Sequence, residues 1–281
     1  MPDRSPTQWS LDAPQKLVFE EPFTALNVRV VGGTVNIVGT DSGAPALELT
    51  HIEGPPLQVT HEAGVLTVAY DDLLWKNLLK WFDRKSWQRT VTVTLTVPTA
   101  TRVEVGVVGA SAVVSGVTGD TDVKGITGDT TLVGVSGAVR AETVSGGLEA
   151  HALRGPLSFK SVSGDLTLVE SAGSEVRADS VSGNMTVDLA GAARNPSLSL
   201  VTVSGEIAVR LPQAAGARVE AGTTSGPVSC SFDDLRVTGQ WGAKRISGTL
   251  GDGGGRLRAT TVSGAVALLS SPATAPEGKV L

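Results

Sequence analysis

The sequence predicts an all-β fold: a single-stranded β-solenoid (β-helix-like) of short strands joined by Ser-Gly turns, with one short α-helical insert. Three observations carry that expectation. Glycine recurs every nine residues at Gly119, Gly128, Gly137, Gly146, Gly155, Gly164 and Gly173, and a fixed period marks a stacked-repeat architecture. Positions four and six of each nonapeptide are mostly apolar or Thr, as in Thr121/Val123, Thr130/Leu132, Leu157/Phe159 and Leu166/Leu168. A spacing of two is the strand period, not the helix period. Each repeat then passes through Ser-Gly or Thr-Gly, where glycine is expected to supply positive φ and the hydroxyl to bond the local backbone.

Position nine is apolar too, at Ile126, Val135, Val144, Leu153 and Val162. Nine is odd, so the turn must reset the phase of the apolar face. Strands this short cannot bury a face alone, but stacked about 4.8 Å apart they can. Two nonapeptides per coil would give a flattened rod with inward columns of Val, Leu, Ile and Thr.

Residues 1–16 are polar and contain proline, which suggests a flexible N-terminal tail. The solenoid is expected over 17–270, with less regular coils over 17–97 and regular repeats over 98–270. In the first stretch, Leu26–Val30, Thr34–Val38, Leu47–Ile52, Leu57–Thr60 and Val65–Tyr70 read as strands. Residues 71–89, DDLLWKNLLKWFDRKSWQR, break the pattern with apolar residues at three-to-four spacing. Acidic residues at the start and basic ones at the end favour a helix over about 72–89. Thr90–Val97 alternates cleanly and Pro98 ends it. Beyond Ser180 the Ser-Gly mark continues at Gly183, Gly205, Gly226, Gly248 and Gly264. One turn per coil therefore stays constant while the opposite turn varies in length. Residues 271–281 read as a flexible C-terminal tail.

Composition agrees with a narrow β-core: 34 glycines in 281 residues and only 4% aromatics. The net charge of −5 argues against a nucleic-acid partner, which calls for a basic face. The single cysteine, Cys230, excludes an internal disulfide and reads as a small buried hydrophobe. The opening residues lack an apolar signal region, and no window of about 20 apolar residues appears. The expected location is cytoplasmic.

The chain resembles the bacterial adhesin-like β-strand-repeat domains of unknown function. The resemblance rests on Phe23-x-x-Leu26-x-Val28, Gly33-x-Val35-x-Ile37 and a strand ending in Val97-Pro98. The serial marks Val144-Ser145-Gly146, Val162-Ser163-Gly164, Val181-Ser182-Gly183, Val203-Ser204-Gly205 and Val262-Ser263-Gly264 complete it. It covers roughly 20–270, implies a β-solenoid and brings no catalytic residues with it.

No motif for a catalytic residue, cofactor or metal emerges. A calcium-binding nonapeptide needs an acidic residue at every turn. Here Asp120, Asp129 and Asp165 are interrupted by Ala138, Gly147 and Pro156. The turn column Asp165, Asn184, Glu206 reads as solvated turns before a cation or sugar site. His51, His61 and His151 share no ligand spacing. The turn glycines Gly119, Gly128, Gly137, Gly146, Gly164, Gly183, Gly205, Gly226, Gly248 and Gly264 read as structural. The remaining candidate surface is the helix with Trp75, Leu78, Trp81, Phe82 and Trp87, capping the rod or docking a partner, with membrane contact the least favoured reading.

The leading expectation is therefore not an enzyme but a binding or scaffold module, with protein (self or other) or cell-surface glycan as partner. One alternative is a self-assembling filament protein. The other is a carbohydrate-active β-helix enzyme using Asp120, Asp122 and Asp129 as paired carboxylates.

Overall fold

The computed structural model describes residues 7–70, 89–173, 175–191, 193–240 and 242–271. Within them the chain forms 26 strands and no helix. The strands belong to two large sheets, of 14 and 12 strands, in which parallel and antiparallel pairs are mixed. The chain divides into two compact units, Met1–Glu149 and Ala150–Leu281.

The first unit contains β1 (Thr7–Leu11), β2 (Gln15–Val18), β3 (Ala25–Val30), β4 (Gly32–Gly39), β5 (Ala46–Glu53), β6 (Leu57–Glu62), β7 (Val65–Ala69) and β8 (Thr90–Val97). It continues with β9 (Arg102–Val107), β10 (Ser111–Ser115), β11 (Thr121–Gly125), β12 (Thr130–Val133), β13 (Val139–Thr143) and β14 (Leu148–His151), where the division falls. From β9 to β14 successive strands alternate between the sheets, β11 pairing in parallel with β9 and β13, and β10 with β4 and β12. Thr121 lies beside Val103 and Val139, and Ala112 beside Val35 and Thr130. Burial alternates along each strand as the sequence period requires. In β8, Val91, Val93, Leu95 and Val97 are fully buried and the threonines between them are half-buried.

The start of this unit departs from the expected tail. β1 runs antiparallel to β6, and β2 antiparallel to β5. Leu11 is buried, and an edge-to-face series links Trp9, Phe19, Phe23 and His61. Polar residues and prolines hid that aromatic series, which ties the segment down through side-chain packing.

The second unit contains β15 (Leu157–Ser161), β16 (Leu166–Ser171), β17 (Glu175–Asp179), β18 (Met185–Leu189), β19 (Ser197–Val201) and β20 (Ile207–Pro212). After these come β21 (Ala217–Thr223), β22 (Val228–Cys230), β23 (Leu235–Gln240), β24 (Ala243–Leu250), β25 (Gly255–Thr261) and β26 (Val266–Ser271). Strands β15 to β20 stack in sequence, and beyond β20 the chain abandons that order. β25 inserts between β19 and β21, and β26 between β20 and β22. β24 then pairs antiparallel with both β21 and β23.

These pairings overturn the single-stranded solenoid. A solenoid sets every strand parallel to the strand one coil later. This chain reorders its strands, opening the first unit and closing the second with antiparallel pairs. A nine-residue period reports local geometry, whereas pairing order is non-local and leaves no mark in the period. The helix expected over 72–89 lies outside the described residues, apart from Arg89, whose guanidinium stands 5.2 Å from the Tyr70 ring centroid.

Candidate functional site

The recurrent turn of the second unit is a four-residue motif, of which sequence reading recognised only the last three residues. It reads Ser161-Val162-Ser163-Gly164, Ser180-Val181-Ser182-Gly183, Thr202-Val203-Ser204-Gly205, Thr223-Thr224-Ser225-Gly226 and Thr261-Val262-Ser263-Gly264. The first residue carries a structural hydroxyl. It accepts a bond from the glycine N–H three residues on, at 2.7 Å for Ser161, 3.0 Å for Ser180 and 3.2 Å for Thr261. Thr261 Oγ1 also reaches the Gly205 carbonyl (3.0 Å) and the Val203 carbonyl (3.2 Å) of the adjoining turn. One buried hydroxyl thus closes its own turn and contacts the next, leaving few polar groups there unpaired.

The valine of each motif points out. Val162, Val181, Val203 and Val262 are each about half exposed. Their backbones form a ladder: Val181 N–H donates to Val162 O, Val203 to Val181 and Val262 to Val203, all within 3.0–3.2 Å. The motif serine donates to a valine carbonyl of the adjoining turn, as Ser225 does to Val262 (3.3 Å). In the nonapeptides, position nine alternates accordingly: Val135 and Leu153 are buried, while Val144 and Val162 are exposed.

The turn glycines are required for a different reason than the expected positive φ. A Cβ on Gly183, Gly205 or Gly264 would stand 2.0, 1.9 or 1.8 Å from the carbonyl oxygen of the neighbouring turn glycine. Their role is close stacking of backbone on backbone. In the first unit Gly137 and Gly146 make the same approach to Gly119 and Gly128, which themselves stack on the carbonyls of Thr101 and Ala110. In the second unit the column runs Gly183, Gly205, Gly264, Gly226, following strand order and not sequence order. Gly248 is not a turn residue; it lies inside β24 at φ 156°.

The acidic turn column does stack, and its oxygens serve the scaffold. Asp165 Oδ1 accepts the Asn184 N–H at 2.7 Å, and Asn184 Oδ1 accepts the Glu206 N–H at 3.0 Å. In the first unit Asp120 accepts the Ala138 N–H and Asp129 the Gly147 N–H. Asp120 leads into β11 and Asp129 into β12, in different sheets, and Asp122 faces Lys124 at 3.8 Å. The carboxylates considered for glycan cleavage are thus engaged separately.

His51 lies 3.5 Å from Glu53, and His61 meets the Phe23 ring. Cys230, expected to be buried, is half-buried in β22. Among the described residues no group of three or more His, Cys, Asp or Glu could hold a metal ion. The expected surface of Trp75, Leu78, Trp81, Phe82 and Trp87 lies outside the described residues.

One cleft, missed in the sequence, opens in the second unit. It has a volume of about 260 Å³ and is lined by Glu220, Gly222, Thr224, Lys244, Arg245 and Arg258 among others. The signal was present as a charge asymmetry. The second unit carries twelve Lys and Arg against eleven Asp and Glu, and the first eleven against seventeen.

No family profile matches the chain, and no curated protein does. Two solved structures are similar to it. One is a "putative cell adhesion protein" from Clostridium sporogenes, 11% identical over 95% of this chain and 100% of that one, with a TM-score of 0.31. The other is a "putative lipid binding protein" from Parabacteroides distasonis, 12% identical over 94% of this chain and 98% of that one, with a TM-score of 0.40.

Proposed function

We propose that this chain is a non-catalytic binding or scaffold module, adhesin-like in that it meets its partner through an extended surface. The observation that carries this reading is the use made of the repeat's polar groups. The hydroxyls of Ser180, Thr202 and Thr261 and the side-chain oxygens of Asp165 and Asn184 are all engaged in bonds within and between turns. The most repeated chemistry of the sequence therefore builds the scaffold. What it presents outward is rows of like side chains at strand spacing, about 4.8 Å. Such rows suit a partner that is itself extended, a protein segment or a cell-surface glycan.

A binding module returns its ligand unchanged. The protein is incubated with a panel of immobilised and soluble cell-envelope glycans, and retained material is recovered and sized. Retention of at least one glycan at its original length supports the reading. New reducing ends or shortened chains would show an enzyme and overturn it.

A further inference from the structure

The outer face of β25, β21, β24 and β23 collects most of the second unit's strand-borne positive charge. Across the strands, in register, one row reads Arg256, Arg218, Thr249. The next reads Arg258, Glu220, Ser247, Arg236, and the third Thr260, Gly222, Arg245, Thr238. All five arginines are exposed, as is Lys244, which is in register with buried Thr223 and so alternates to the other side of β24. Glu220 is the only acidic residue within these four strands. None of the six basic groups forms an ion pair among the described residues. In a protein of net charge −5, a face this uniformly basic and unpaired is a departure that needs a counter-charge.

The cleft sits where the rows meet Gly222. A glycine in a strand interior often marks close approach of a ligand or another backbone. Here a Cβ on Gly222 would stand 2.6 Å from the Lys244 carbonyl oxygen, so the glycine admits the close approach of β24, and the cleft lies beside it with Arg245 and Arg258 in its lining. Two loop carboxylates, Asp233 and Asp234, immediately precede β23 near Arg236 and form no ion pair with it among the described residues. Asp252 follows the far end of β24, away from Lys244 and Arg245, and its Oδ1 accepts the Gly254 N–H at 3.0 Å.

We propose that this face binds a polyanionic glycan, a polysaccharide bearing sulfate or carboxylate groups, with one anionic sugar seated in the Gly222 cleft. Arginine forks match carboxylate and sulfate oxygens in paired bonds. The arginines are spread over four strands in lines and do not converge on one point. That layout matches charges repeated along a chain. A membrane surface fits less well, because the side chains between the arginines are Ser247, Thr249, Thr260 and Thr238, with no outward apolar group to enter an acyl layer. Val237, the exposed apolar residue of β23, is in register with buried Ile246 and so belongs to the opposite side.

This inference rests on the binding-module reading and names its ligand class. The test uses the full chain with heparin oligosaccharides as the sulfated, uronate-bearing probe, neutral dextran as control and phosphatidylglycerol vesicles as the lipid arm. Wild type should bind heparin and not dextran, with affinity falling as added salt shortens the screening length below about 10 Å. The Arg245→Ala/Arg258→Ala variant should bind about tenfold more weakly or worse at an unchanged melting temperature, as expected for exposed charges at a contact. Removing two exposed charges from the first unit, Lys124→Ala/Arg140→Ala, should change binding less than about twofold. Absence of heparin binding by wild type, equal loss in the first-unit variant, or tighter binding to the vesicles would each overturn the proposal. Retention of a neutral glycan or a protein would sink this site while leaving the module reading intact. Shortened heparin would sink the module reading itself.

Discussion

Two surfaces of the second unit share strands β21 and β25 and use their polar groups in opposite ways. At the turn edge, Ser161, Ser180, Thr202, Thr223 and Thr261 direct their hydroxyls into the protein, and Asp165 and Asn184 bond the next turn's backbone. On the face of β25, β21, β24 and β23, the arginines direct their charge outward and hold no partner among the described residues. The edge is repetitive and satisfied; the face is irregular and unsatisfied. Repetition in a sequence therefore points to what holds the fold together, and a break in the charge pattern is the better guide to what it binds.

The difference can be broken at the edge first, where the largest effect is expected. Gly264→Ala places a methyl group against the Gly205 carbonyl, at 1.8 Å before relaxation. Overpacking of this kind costs about 1–3 kcal/mol, and backbone on both sides of the contact puts this site at the upper end. Denaturant unfolding should show that loss, whereas Gly191→Ala, with nothing within 4 Å, should stay within about 0.5 kcal/mol of wild type. If both variants unfold alike, close stacking is not what requires glycine at the turns.

Thr261→Val comes next. It keeps the shape and deletes the hydroxyl that serves Gly264, Gly205 and Val203. A buried group left without its partner costs about 1–3 kcal/mol, again read by denaturant unfolding. Thr261→Ser should recover most of it, since the oxygen returns. Failure of the serine to restore stability would assign the loss to packing and not to the bond.

A gain is expected in the first unit. The hydroxyls of Thr121 and Thr130 are buried at strand starts with no hydrogen-bond partner among the described residues. Val139 fills the same inward position beside Thr121. Thr121→Val and Thr130→Val should each raise stability by about 1 kcal/mol, because removing an unpaired buried polar atom at constant shape is neutral or favourable.

The smallest effect is expected at an exposed pair. Asp188 and Arg210, in register on β18 and β20, form a two-pronged contact with Nε to Oδ1 at 2.9 Å. Bonding to Asp188 raises the Arg210 pKa above its ordinary value. A raised folded-state pKa in a base gives stability that is present below the unfolded-state pKa and fades only as pH rises through the folded one. For arginine that window lies in strong alkali. Asp188→Asn should thus give the slightest shift of the series, and thermal melts at mildly acidic and mildly alkaline pH should show the same shift.

Much of the fold was legible at the level of single strands. Thr90–Val97 has the strand period, and its buried set is the one the alternation dictates. The paired inward positions of the nonapeptides, Val123, Leu132, Ala141 and Phe159, are all in the core. The pairing order was not legible. Nothing local in Gly255–Thr261 says that it will insert between β19 and β21, since any apolar strand of similar length could take that place. The turn motif was half legible. Val-Ser-Gly stood out because it recurs in four of the five turns, with Thr224 replacing valine in the other, while the preceding residue varies between Ser and Thr and so hid its shared hydroxyl. The cleft was invisible as a motif, because Glu220, Gly222, Arg245 and Arg258 are brought together across strands that lie up to 38 residues apart in sequence.

The most direct test measures two quantities on two variants. Unfolding free energy and heparin affinity are determined for Thr261→Val and for Arg245→Ala/Arg258→Ala. The edge variant should lose about 1–3 kcal/mol of stability and, below its unfolding range, bind as wild type does. The face variant should unfold as wild type does and lose about tenfold or more in affinity. An edge variant that loses binding while folded, or a face variant that keeps it, would contradict the assignment of scaffold to the repeat and binding to the arginine face.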